Sequence, residues 1–380
     1  MRKCIYILRR RLSFSIISEM ERFIRGSFYG SVFGDACGAP FELRDEVPLR
    51  DVLKFFDKRL SGKDTSILHY TDDSEMALGI CESLKRANGF SASDLAKTFS
   101  DAFFRAPFYR LYGGSIRSLF EKMGAMNFVN PSSIAAAQFN GSGSYGNGGG
   151  MRVTSAAIYG LKLRTDDFNK LICDVTAVTH THPLALYGAL LQAHALRRVI
   201  TLSAKYGGSF EIDAGILISD LVKDLENADL SAYAFGRPSN FYKNAYQQFL
   251  DKISSVQKFI NQDRRPSVVE VVSKLGNGEP AVEAIPTALY VFLQCLKPLT
   301  EIPYENLMIK CSVYASTLGY DTDTIGCMAC AIAGAYLGAD KIERTSTDNE
   351  STVPVEIIKH VEGLETINEY CDWLIQHNKT

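Results

Sequence analysis

The chain has 380 residues, 46% hydrophobic and 22% charged, with a net charge of −2. That is soluble globular composition, and it excludes a global basic field recruiting nucleic acid, so any anionic ligand must be held by local groups. No apolar run reaches the roughly 18–20 residues needed to span a bilayer, and nine cysteines without a disulfide-like rhythm favour a reducing compartment.

In chain order, residues 1–18 carry Arg2, Lys3, Arg9, Arg10 and Arg11 with Ser13, Ser15 and Ser18, and the first acid is Glu19. This make-up fits a mitochondrial transit peptide and equally an untargeted leader, while the triple arginine argues against a secretory segment. Residues 1–20 are therefore set apart as a leader, and 21–380 read as one all-α domain, since no linker-like segment divides them. Gly26, Gly30, Gly34 and Gly38 recur every four residues, a smooth stripe on which another helix can pack closely. Glu42, just after Pro40-Phe41, falls in a loop where it is free to move; alone it is an ordinary surface acid.

The segment His69-Tyr70-Thr71-Asp72-Asp73-Ser74 then runs into Met76, Ala77, Ile80, Cys81 and Leu84, the spacing of a helix with one buried face. Further helical runs are expected at 92–105, 153–163, 184–200, 216–226, 242–262, 281–297, 305–318, 325–338 and 355–378, with a polar loop at 343–353. Between Gly141 and Gly150 stand six glycines in ten residues, costly to order, followed by Met151-Arg152-Val153. Such a loop suits a diphosphate approaching bare backbone N–H groups before a helix, or is simply a flexible surface loop. It matches neither the P-loop nor the dinucleotide fingerprint. In Thr179-His180-Thr181-His182-Pro183, one His can cap the following helix, fill the core, or bond a phosphate or ribose; two at this spacing do not share a helix face, which argues against paired metal ligation.

A second acidic start, Asp321-Thr322-Asp323-Thr324, runs into Ile325, Met328, Ala329, Ile332, Ala333, Tyr336 and Leu337. Cys327 and Cys330 within it read as small core residues, with no second pair to make a zinc site. Each acidic cluster alone also fits a helix cap, and Asp72 with Glu75 fits a capping box. If the fold joins the two starts, four carboxylates converge and cannot all stay ionised without cations between them. An oxygen-only set without His or Cys suits magnesium.

Gly34-Asp35 to Glu42, Thr71-Asp72-Asp73, Gly146-Asn147-Gly148 to Arg152, Thr179-His180 and Asp321-Thr322-Asp323-Thr324-Ile325-Gly326 together resemble the ADP-ribosylglycohydrolase family, which includes the dinitrogenase-reductase-activating glycohydrolases. The resemblance covers roughly residues 21–340. Gly143 to Gly149, Leu275-Gly276-Asn277-Gly278 and Ile285-Pro286-Thr287-Ala288-Leu289-Tyr290 look most like its ADP-ribosylhydrolase type-three branch. It implies an all-α fold with two Mg²⁺ ions, one held by Thr71, Asp72 and Asp73, the other by Asp321, Asp323 and Thr324, with Asp323 bridging. Glu42 matches the flap glutamate near the scissile bond. Gly143, Ser144, Tyr145, Gly146 and Asn147 match the diphosphate loop, Phe139 or Tyr145 would stack on adenine, and His180, with His182 in reserve, would contact the ligand.

The resemblance further implies hydrolysis of serine-linked ADP-ribose, poly(ADP-ribose) and O-acetyl-ADP-ribose by a monomer, without direct DNA or membrane contact. A role in the DNA damage response and a place in the cytoplasm, nucleus or mitochondrial matrix go with it. Arginine-linked ADP-ribose, and a non-catalytic ADP-ribose-binding or crystallin-like role, are the alternatives; intact metal ligands disfavour the last. Two residues depart from the family pattern. Tyr320 stands where glycine is usual, strained if that position needs positive φ, and Gly150 replaces a small alanine.

Overall fold

The computed structural model describes residues 2–207, 210–343 and 354–379, with side chains from Met20 onward, Glu343 excepted. Among the described residues no strand forms; isolated bridges join Leu68 to Val361 and Gly146 to Pro280. The first helix spans Arg2–Gly38, and the side chains of the leader lie outside the described residues, as does all but Glu343 of the 343–353 loop.

Two helices set the frame for everything else. Arg2–Gly38 packs along Thr322–Leu337 more extensively than any other pair of elements. The two run antiparallel: Gly26 lies against Gly334, Gly30 against Cys330, Gly34 against Gly326 and Gly38 against Asp323. A Cβ on Gly34 would stand 2.1 Å from the Gly326 carbonyl oxygen, and one on Gly38 would stand 2.5 Å from Asp323 Cα. No larger residue fits without prising two backbones apart, so the glycine stripe exists to let main chain meet main chain. Because the pairing is antiparallel, the end of the first helix arrives at the acidic start of the second.

Around this pair stand Pro183–Tyr206, Ala281–Cys295 and Leu307–Thr317, buried on nearly every face, as central helices must be. Cys327 and Cys330 are buried in the same core, and the described cysteines are free thiols.

Several boundaries differ from the periodicity. The run at 355–378 is two helices, Val355–Ile358 and Leu364–His377, parted at Gly363, whose φ is 65°. The break frees backbone for tertiary bonding: Leu68 N–H donates to the His360 carbonyl at 2.9 Å and Glu362 N–H to the Leu68 carbonyl at 3.0 Å. The run at 153–163 shortens to Thr154–Tyr159, ending at Gly160, where a Cβ would meet Phe168 at 2.9 Å. Thr165–Ala177 and Val268–Leu275 are helices outside the runs named above.

Candidate active site

The helix Asp72–Ala87 starts at Thr71, whose Oγ1 accepts from Asp73 N–H at 3.4 Å. Thr71 is the N-cap, and the Asp72–Glu75 capping box does not form because Glu75 turns to Arg110, Nε to Oε2 2.7 Å. Beneath the turn lies Asp35 of the first helix, fully buried. It accepts from Thr71 N–H (2.9 Å), Thr71 Oγ1 (2.9 Å), Ser74 N–H (3.0 Å) and Ser74 Oγ (2.5 Å). Four donors fill a carboxylate's capacity, which is what makes its burial tolerable.

The second start is held differently. Asp321 N–H donates to the Asn277 carbonyl at 3.1 Å, and Asn147 Nδ2 donates to Asp321 Oδ2 at 2.5 Å. Thr322 Oγ1 reaches the Gly38 carbonyl at 2.9 Å. Thr322 N–H donates to Glu42 Oε2 at 3.1 Å, so Glu42 is tied to this turn rather than free. Thr324 Oγ1 then donates to Asp73 Oδ1 at 3.2 Å, and this bond joins the two acidic starts.

The electrostatics follow from that junction. Burial, and next the charge of Asp323, pushes Asp72 and Asp321 well above the usual carboxylate range. Burial and the neighbouring Asp35 do the same to Asp73. Asp35 rises to about 7 by burial and Asp323, despite its hydrogen bonds. Glu42 is pushed up to about 11 by burial, again with Asp323 beside it. Crowded carboxylates must take up protons or a cation. Among the described residues no Lys or Arg is ion-paired with Asp72, Asp73, Asp321 or Asp323, and Asp73 Oδ2 is buried with no hydrogen-bond partner. Oxygens of Glu42, Asp321 and Asp323 lie within 4.8 Å of one another, a spacing able to hold a metal ion. The donor set fits a hard cation.

These groups floor a cleft of about 680 Å³. Its wall includes Phe139, Ser144, Tyr145, Gly146, Asn147 and His180; Glu42, Asp72, Asp321, Asp323 and Thr324 also face it, whereas Thr71 and Asp73 lie beneath. The glycine loop is ordered by its surroundings. Asn147 N–H donates to the Glu279 carbonyl at 2.8 Å, and Ala281 N–H to the Tyr145 carbonyl at 3.0 Å. Gly143 has φ 73°, and a Cβ there would stand 2.2 Å from Thr181 Oγ1, so it serves the turn from behind rather than lining the cleft. The half-exposed rings of Phe139 and Tyr145 stand 6.3 Å apart at the rim, a platform for a flat heterocycle. His182 caps the next helix, its Nδ1 accepting from Leu184 N–H at 3.0 Å, and leaves His180 as the histidine of the cleft.

Comparison with known proteins matches the ADP-ribosylglycohydrolase family model over residues 18–379. The chain belongs to the ADP-ribosylglycohydrolase family. It is 36% identical over 331 residues to human ADP-ribosylhydrolase ARH3, covering 85% of this chain and 87% of that protein. Against the Danio rerio ADP-ribosylhydrolase ARH3 it is 34% identical over 333 residues, covering 86% and 85%. A solved structure titled ADP-ribosylglycohydrolase-related protein complex superposes with a TM-score of 0.61 at 18% identity, covering 95% of this chain and 99% of that one, which shows the shared fold. Family membership makes this chain a hydrolase acting on ADP-ribose glycosidic linkages.

Asp35 and Arg152 stand within motifs whose spacing assigns neither of them a role. Asp35 lies inside an otherwise apolar helical pattern and Arg152 in an apolar stretch between two short helices, the signal of a buried charged group with a structural task. Asn277 donates through Nδ2 to the Leu318 and Gly319 carbonyls and steadies the turn before Asp321, a task that its motif does not reveal. Tyr320 does occupy positive φ, 58°, while its N–H and carbonyl clasp the flap backbone: Leu43 N–H to Tyr320 O and Tyr320 N–H to Arg44 O, both 2.8 Å.

Proposed function

We propose that this protein is a Mg²⁺-dependent hydrolase releasing ADP-ribose from serine-linked ADP-ribosylated proteins, and acting also on poly(ADP-ribose) and O-acetyl-ADP-ribose. The observation that carries this reading is the meeting of two acidic helix starts beside a glycine loop and an aromatic rim in one cleft. In it, Thr71, Asp72 and Asp73 would hold one ion and Asp321, Asp323 and Thr324 another. Bound there, magnesium supplies Lewis acidity toward ribose hydroxyls and water.

The chain's own groups do the rest. Phe139 and Tyr145 take the adenine, and the backbone of Ser144 to Gly146 takes the diphosphate, which turns the distal ribose to the carboxylate floor. Cleavage at its anomeric carbon builds oxocarbenium character. Glu42, held at the floor by Thr322 N–H, is the group placed to move a proton to the leaving serine oxygen or from the attacking water. Free, buried cysteines support an intracellular, reducing location.

Incubating the purified protein with matched serine- and arginine-ADP-ribosylated peptides, with and without magnesium, tests the reading. Magnesium-dependent release from the serine peptide alone is the expected result. Release from the arginine peptide alone would transfer the assignment to that linkage, and release indifferent to magnesium would overturn the metal dependence.

A further inference from the structure

Below the glycine loop lies a guanidinium that the site's chemistry leaves unexplained. Arg152 is fully buried, its charge facing no carboxylate at ion-pair distance among the described residues. It bonds only neutral acceptors: the Met76 sulfur at 3.6 Å, the Val175 and Thr176 carbonyls at 3.2 and 3.4 Å, and Thr179 Oγ1 at 2.8 Å. It also lies over the Phe99 ring, 4.7 Å from the centroid. Burying a cation this way is costly, so its geometry needs a reason.

The reason is legible in the proton count at Thr179. A guanidinium only donates, so Arg152 occupies a lone pair of Thr179 Oγ1 and leaves the hydroxyl hydrogen to find an acceptor. Thr179 is buried, and the remaining partner of its oxygen is His180 Nδ1 at 2.7 Å. The hydroxyl therefore donates to Nδ1, and the ring's own proton sits on Nε2. Gln138 holds the same residue by its backbone, Nε2 to the Thr179 carbonyl 2.9 Å. Nε2 of His180 lies beside the glycine loop, 3.4 Å from where a Gly146 Cβ would be and 2.9 Å from a Gly148 Cβ, and has no hydrogen-bond partner among the described residues. Glycine at both positions leaves it open to a ligand.

We propose that Arg152 and Thr179 are positioning residues that fix His180 as a neutral imidazole with an Nε2–H donor aimed at an anionic or hydroxyl oxygen of the ligand in the cleft. Burial and the nearby Arg152 charge also lower the His180 pKa, to about 3, so the ring stays neutral through the working range. The identity of that ligand as ADP-ribose rests on the function proposed above; the tautomer does not.

Nitrogen NMR of the six-histidine protein, with His180 assigned by a His180→Ala variant, reads the tautomer directly in ligand-free protein. The expected spectrum has a bare Nδ1 and a protonated Nε2. Thr179→Val should release that tautomer and weaken ADP-ribose binding about tenfold, the scale of a lost hydrogen bond to a charged group, while Thr179→Ser restores both. Arg152→Lys should produce a tautomer mixture. Since that variant removes a core residue and can fail to fold, the threonine pair carries the test. A protonated Nδ1 in the wild type, or wild-type affinity in Thr179→Val, would overturn the proposal. Failure of the wild type to bind ADP-ribose would instead count against the proposed ligand, with the NMR result still deciding the relay.

Discussion

The two acidic helix starts carry the same chemistry and are fastened from opposite sides. Thr71 to Ser74 is secured from inside the core, where Asp35 takes four hydrogen bonds from two residues of the turn. Asp321 to Thr324 is secured largely from loops: Glu42 on one flank, Asn147 and Asn277 on the other, with Gly38 behind. One half of the floor is thus an anvil. The other is bonded to Asn147 of the glycine loop and to Glu42, both of which line the cleft.

The contrast can be broken first on the loop-held side. Asp323→Ala removes the carboxylate nearest the others and should cut turnover about 1000-fold or more while lowering the metal bound per chain. Full activity, measured on the same ADP-ribosylated peptide, would remove the carboxylate floor from the reaction. Glu42→Gln should lower turnover by about 10²–10⁴-fold and leave ADP-ribose affinity nearly unchanged by calorimetry; unaltered turnover would take Glu42 out of the mechanism.

On the core-held side, Asp35→Asn sets an amide NH2 against two of the four donors and should cost about 2–4 kcal/mol of stability, read from the urea midpoint. A loss under about 0.5 kcal/mol would show that the turn is not fastened there.

A pH series on chelator-treated protein sharpens the same comparison. Asp35 at about 7 and Glu42 at about 11 lie above their ordinary values of 3.8 and 4.5, so the folded state holds protons that the unfolded chain has released. Stability contributed by these groups is whole below about pH 4 and declines as pH rises through the folded values. The melting temperature of metal-free protein should therefore fall from pH 5 to pH 8, and divalent cation should restore more of it at pH 8. A flat profile would contradict the crowded floor.

The smallest effect is expected at Tyr320. Its left-handed backbone costs an aromatic residue about 1–2 kcal/mol, so Tyr320→Gly should gain about 0.5–1 kcal/mol after glycine's own entropy is set against it. A tenfold higher KM in that variant would show instead that the ring, which lines the cleft, grips substrate.

Much of this was readable from spacing. The glycine stripe, both acidic starts and the buried cysteines lie on helical periods, and the all-α class follows from them. What periodicity lacks is distance. The Thr324–Asp73 bond joins residues far apart in the chain, and neither cluster alone says that they meet. Periodicity does not show the break at Gly363, because the apolar pattern continues across it; the gain comes from pairing with Leu68, a tertiary event. The capping box failed for a similar reason, as Arg110, drawn also to Glu362, competed for Glu75. Glu42 looked free because a lone acid after a Pro-Phe turn carries no local sign of the amide it will bind.

Where Gly38 meets Asp323 Cα, and Gly34 meets Gly326, the second acidic start is seated on the first helix by main chain touching main chain. Side chains change rotamer and swell with temperature; abutting backbones hardly do. The place of the second carboxylate turn is thus set by a ruler made of peptide groups, and a methyl group added at Gly38, which offers no carboxylate of its own, would push Asp323 away from the rest of the floor.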